Sequence, residues 1–135
     1  MKEKFVKNGE VEVQYLAVNY SPAETPLIII PGAIVGADDF YNDIKEYADF
    51  YYIIISLRGR GKSSSPISGY TKDDHISDID AVIKNEFLDN FYILGHSFGA
   101  SVASYYSIKN SEKISGLIIA DFPPVYPAYS EDWAG

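Results

Sequence analysis

The sequence contains no cysteine, only two histidines, one tryptophan and one methionine in 135 residues. Without cysteine there is no disulfide framework, no thiolate nucleophile and no cysteine-ligated zinc. With His75 and His96 alone, a histidine-rich metal site is excluded as well, and neither a metal nor another cofactor is implied. Positive charge is also scarce: 11 lysines and arginines face 19 acids, for a net charge of -8. Nucleic acid requires a basic face, and anionic membranes attract basic segments, so neither is expected as a partner. Long apolar runs are missing too, since nothing approaches the roughly 18 residues of a membrane span. The N-terminal stretch MKEKFVKNGEVEV alternates charged and apolar residues and lacks the apolar centre of a secretory signal. These absences leave a cytoplasmic, single-domain protein as the expectation.

What is present is a regular alternation of short apolar runs and helical patterns. KFVKNGEVEVQYLAV reads as two alternating strands joined at Asn8-Gly9, a dipeptide that suits the positive φ of a tight hairpin. TPLIIIPG and FYYIIISLRG are continuously apolar and end in glycine loops, as strands buried on both faces do in a parallel sheet. Between them, Phe40, Ile44 and Tyr47 recur at helical spacing behind Asp38, the expected cap. Thr71 followed by Asp74 forms a capping box ahead of Ile76, Ile79, Ile83 and Phe87, which line one helical face. NFYILG, FGASVASYYSIKN and GLIIAD then predict strand, helix and strand. A hairpin followed by strand–helix alternation is an α/β fold: a three-layer sandwich with a mostly parallel sheet and an antiparallel hairpin at one edge.

The chemistry concentrates in FYILGHSFGASVASYY, where Ser97 stands between Gly95 and Gly99. A serine lifted off a sheet on a sharp strand-to-helix turn crowds the residues two places before and after it, so both must be small. The helix that follows aims its N-terminal amides at the site where an oxyanion would form. His96 is not expected to act as base on its neighbour, because adjacent side chains on an extended segment point to opposite sides. It is expected to support the turn by packing, and His75, in the first turn of a polar helix, is expected to be solvated.

Taken together, IIIPGAIVG, SLRGRGKSSSP, YTKDDHISDID and ILGHSFGASVA occur in an order and at distances that resemble the N-terminal half of an α/β-hydrolase. The resemblance implies residues 1–122 as the first part of the hydrolase core and 123–135 as the start of the lid segment. It implies a serine hydrolase acting on a small ester or amide through an acyl-enzyme, with Ser97 as nucleophile. The backbone N–H groups of Phe98 and Ala33 would form the oxyanion hole, although Pro31-Gly32 stands where the family commonly has His-Gly. Serine at this position speaks against the epoxide hydrolase and dehalogenase branches, which carry aspartate there, and the absence of GGPG speaks against the proline iminopeptidases.

The family usually keeps its catalytic histidine and acid beyond the lid, and Asp121 lies only near the place where some members keep the acid. A non-catalytic, α/β-hydrolase-like binding protein or an inactive fragment is therefore the alternative reading. The same incompleteness leaves GLIIAD at an apolar sheet edge, with self-association or a complementary C-terminal segment as the expected partner. A remote alternative, a nucleotide-binding P-loop at RGRGKSS, lacks its first glycine, because Ser56 stands there, and SSSPISG cannot supply the phosphate-binding helix.

Overall fold

The computed structural model describes residues 1–122. Strands β1 (Lys2–Asn8) and β2 (Val11–Val18) form the hairpin, with Asn8 paired to Val11. The turn is therefore Gly9-Glu10 rather than Asn8-Gly9, with Gly9 at the first central position at φ +61°. The chain continues through β3 (Leu27–Ile30), α1 (Ala37–Ile44), β4 (Tyr52–Ile55), α2 (Lys72–Asn85), β5 (Phe91–His96), α3 (Phe98–Lys109) and β6 (Ile114–Ala120). The six strands form one sheet in the order β1-β2-β4-β3-β5-β6. β1, β2 and β4 are joined antiparallel, and β4, β3, β5 and β6 run parallel.

Period-two alternation divides the sheet's side chains between two cores. Tyr15, Ile28, Ile30, Ile53, Ile55 and Ile93 face Ile76, Ile79 and Val82 of α2 and Val102, Ala103 and Tyr106 of α3. Leu16, Ile29, Tyr52 and Ile54 face Ala37, Phe40 and Ile44 of α1 on the other side. This is the expected three-layer α/β sandwich, and the isoleucine runs of β3 and β4 are continuous because both faces are covered. None of the helices among the described residues is long and apolar enough to cross a membrane.

The helix ends agree with the sequence in one case and correct it in another. Thr71 caps α2 as expected: its hydroxyl accepts from the Asp74 amide, and the Asp74 carboxylate accepts from the Thr71 N–H at 2.8 Å. α1, by contrast, is capped at Gly36 and not at Asp38, because the hydroxyl of Ser56, the residue after β4, accepts the Ala37 N–H at 2.7 Å. Asp38 sits in the first turn, where its carboxylate accepts from Gln14 at 2.6 Å. Tyr47 and Phe87 lie beyond the ends of their helices and are exposed, not buried with the faces to which spacing assigned them. At Phe87 the backbone has turned to φ +54°, which carries the ring away from the core. No helix begins at Lys62-Ser63; the next one starts at Lys72, so a phosphate-cradling helix is absent from that loop.

Candidate functional site

The strand order reverses at β3, since the chain passes from β3 to β4 on one side and then crosses to β5 on the other. The carboxyl ends of β3 and β5 therefore flank a topological switch point, where α/β sheets place ligands. Two connections meet there: the long loop 31–36 after β3, and the turn from β5 into α3, in which Ser97 stands between strand and helix.

Ser97 has φ +52° and ψ -120°, a region that side-chain-bearing residues seldom occupy. Such a residue costs about 1–3 kcal/mol and persists only where the surroundings impose it. Here the surroundings do so. The Ser97 N–H donates to the Ala120 carbonyl at the end of β6 at 2.9 Å, and its carbonyl accepts the Ala100 N–H at 2.9 Å. The strain also changes the use of the hydroxyl. Serine at the head of a helix ordinarily caps it, but Ser97 makes no capping hydrogen bond, so its hydroxyl is not spent on its own helix.

The flanking glycines are required by contact. A Cβ on Gly95 would strike the Gly99 carbonyl and the Ala100 backbone, and a Cβ on Gly99 would strike the carbonyl oxygens of Ile30 and Pro31. Helix α3 thus starts directly against the end of β3. The loop 31–36 is equally close to the serine, because a Cβ built on Gly32 would lie 3.7 Å from the Ser97 Cβ. Phe98 opens α3 beside the serine, and Ala33 is exposed on the facing loop, with its carbonyl held by Arg60 Nε at 2.7 Å.

The two histidines occupy different surroundings. His96 turns towards Gly32 and Phe40, with ring centroids 6.3 Å apart, and its Nε2 lies 3.9 Å from the Asp121 carboxylate. Asp121 is 84% exposed and follows β6 at φ +55°. His75 is buried at 2% exposure, which corrects the expectation that it is solvated. The first turn of α2 packs under the elbow, so the His75 ring meets Phe98 edge-on at 5.5 Å and Tyr70 at 6.3 Å. Burial, and then the neighbouring Arg60 cation, pushes its pKa below the usual imidazole value. Its Nδ1 has no hydrogen-bond partner among the described residues. Among the described residues no hydrogen bond joins either histidine to Ser97. Likewise, no group of three metal-ligating side chains occurs among them.

Sequence reasoning missed the residues that hold the loop after β4 in place. Arg58 enters the protein and forms a two-pronged pair with Asp78 of α2, at 2.8 and 2.7 Å, and donates to the Gly69 carbonyl at 2.7 Å. The hydrogen bonds to the Asp78 carboxylate hold its pKa above the ordinary guanidinium value. Arg60, two residues on, lies over the Phe98 ring at 4.8 Å. The only signal in the sequence was two arginines in a glycine loop. Surface cavities of about 510 and 520 Å³ lie elsewhere, around Phe87, Asn85 and β1, and include no residue of the elbow.

Comparison with known proteins adds a family to this geometry. The profile described as alpha/beta hydrolase fold matches residues 25–133. The chain is 29% identical over 100 residues to a soluble epoxide hydrolase of Corynebacterium sp., covering 73% of this chain and 35% of that protein. It is 31% identical over 127 residues to the N-formylmaleamate deformylase of Pseudomonas putida, covering 90% of this chain and 47% of the other. The crystal structure of epoxide hydrolase A from Mycobacterium thermoresistibile superposes with a TM-score of 0.82 at 17% identity, over 98% of this chain and 43% of that one. The chain therefore spans about a third to a half of the length of these relatives.

Proposed function

The chain belongs to the alpha/beta hydrolase fold family, and from that premise we propose that it carries the nucleophile and oxyanion hole of a serine hydrolase acting on a small ester or amide. The observation that carries the reading is the Ser97 backbone. A non-glycine residue is held at φ +52°, ψ -120° at the switch point, with its hydroxyl withheld from helix capping. Strain of that kind at a ligand-binding position is what presents a nucleophile. Ser97 Oγ, giving its proton to a base, attacks the acyl carbon, and the former carbonyl oxygen receives hydrogen bonds from the Phe98 and Ala33 N–H groups; the intermediate collapses by expelling the alcohol or amine, which takes up that proton, and water then cleaves acyl-Ser97 to the free acid and the restored serine hydroxyl. Relatives with different chemistries, an epoxide hydrolase and a deformylase, share this scaffold. A serine at position 97, where the epoxide hydrolase branch carries aspartate, supports the reading of acyl transfer to water.

A serine hydroxyl becomes competent near neutral pH only through an adjacent base. Neither histidine is hydrogen-bonded to Ser97 among the described residues, and on this reading the base is one that these residues do not present to Ser97; residues 123–135, read as the start of a lid, lie outside the described residues. Loss of the base in a serine triad costs about six powers of ten in turnover. The 135-residue chain alone is accordingly expected to hydrolyse esters and amides very slowly. The test is labelling with a fluorophosphonate probe, read by peptide mass. Slow labelling confined to Ser97 and abolished by Ser97→Ala is the expected result. Labelling that survives Ser97→Ala would overturn the assignment of the nucleophile, and rapid stoichiometric labelling of the isolated chain would overturn the missing base.

A further inference from the structure

The loop after β4 carries two arginines with opposite fates. Arg58 is turned inward and matched: Asp78 takes its Nε and Nη2, the Gly69 carbonyl takes Nη1, and Asp74 lies 3.4 Å away. Arg60 is half-buried and unmatched. Its Nε donates to the Ala33 carbonyl at 2.7 Å and its Nη1 to the Arg58 carbonyl at 2.9 Å, while its guanidinium lies over the Phe98 ring. Among the described residues no carboxylate lies within ion-pair distance of it, although the chain carries 19 acids and a net charge of -8. Burial disfavours its charge, and no acid offsets that cost. Its charge is met by two carbonyls and an aromatic face rather than by an acid, which leaves it able to receive an anion.

We propose that Arg60 is the anion-recognition residue of this cleft and that the substrate carries a carboxylate, which it receives on the unspent Nη2. The inference rests on the reading of Ala33 and Phe98 as oxyanion donors, for Arg60 touches both residues. Two carbonyls and an aromatic face fix the guanidinium before any ligand arrives, so little conformational freedom is lost on binding. A guanidinium fork matches carboxylate and phosphate alike. One cation in an acidic surface favours a monoanion over a dianion, which selects the carboxylate. Such a substrate would be anchored by its acid while its ester or amide carbonyl lies over Ser97.

Titration of the isotopically labelled 135-residue chain with monomethyl succinate, at constant ionic strength, tests this. Dimethyl succinate serves as the neutral control and inorganic phosphate, at a pH where its dianion predominates, as the dianionic one. Saturable shifts of the Ala33 and Phe98 amides and of the Arg60 Nε–H are expected with the monoester alone. Arg60→Gln should weaken that binding about tenfold, the worth of a charge-assisted hydrogen bond, and Arg60→Lys should weaken it less. The Lys variant also decides the matter if the Gln variant does not fold. Absence of saturable shifts, an equal response to the diester, tighter binding of phosphate, or unchanged affinity in the Arg60 variants would each overturn the proposal. Ser97→Ala separates the two readings: it abolishes fluorophosphonate labelling and leaves the monoester shifts in place. A failure of the nucleophile assignment therefore shows only in labelling, and a failure of this one only in the titration.

Discussion

The two ends of the sheet are finished by different means. At the β1-β2-β4 end, polar side chains are joined in a hydrogen-bonded network, with the buried Tyr52 hydroxyl left without a partner among the described residues. Gln14 joins Glu3, Asp38, Ser56 and the Lys62 amide, Tyr15 and Lys4 both donate to Glu86, and Arg58 meets Asp78. The edge strand there carries Lys2, Lys4 and Lys7, charges that deter a further strand. At the β3-β5-β6 end the contacts are backbone against backbone through Gly95 and Gly99, and the edge strand exposes Leu117, Ile118 and Ile119 by 38–47%. Scaffold and candidate nucleophile are thus separated: the hydrogen-bonded end holds the loop beside the candidate site, and the strained Ser97 sits at the end whose edge strand has no further partner strand among the described residues.

Breaking the hydrogen-bonded end should have the largest effect. Asp78→Ala leaves the Arg58 guanidinium buried without its partner, and removal of one member of a buried pair costs about 3–5 kcal/mol. The midpoint of urea unfolding should fall accordingly, with the glycine loop 57–69 losing amide protection first. Breaking the close-packed end comes next. Gly99→Ala pushes a methyl group into the Ile30 and Pro31 carbonyls, an overpacking of about 3 kcal/mol that the same unfolding experiment would measure. A smaller effect of opposite sign sharpens the contrast, because Ser97→Gly relieves the left-handed backbone and should stabilise the chain by about 1 kcal/mol. If this variant were destabilised, the serine would be structural, and the claim that strain is maintained there for chemistry would fail.

The smallest effect on stability belongs to the open edge. Leu117→Lys with Ile119→Lys should change the unfolding free energy by no more than about 0.5 kcal/mol per site. It should nevertheless raise the concentration at which sedimentation detects association, because an exposed apolar edge recruits partners. Unchanged association would show that the edge is not the adhesive surface.

The sequence by itself determined the architecture and the position of the nucleophile candidate. Periodicity separated strands from helices because a residue's face depends only on local spacing, so the isoleucine runs, the Thr71–Asp74 cap and the small residues on both sides of Ser97 were all legible. Tertiary structure alone decided matters that depend on what another element brings. The cap of α1 moved to Gly36 because Ser56, the residue after β4, accepts the Ala37 N–H, and His75 became buried because α2 lies under Phe98. The division of labour between Arg58 and Arg60 was equally invisible. Two arginines in one glycine loop look alike along the chain, and only the approach of Asp78 to one and of Ala33 and Phe98 to the other sets them apart. Local rules give each side chain its direction. Its partner is set by long-range packing, which no spacing along the chain encodes.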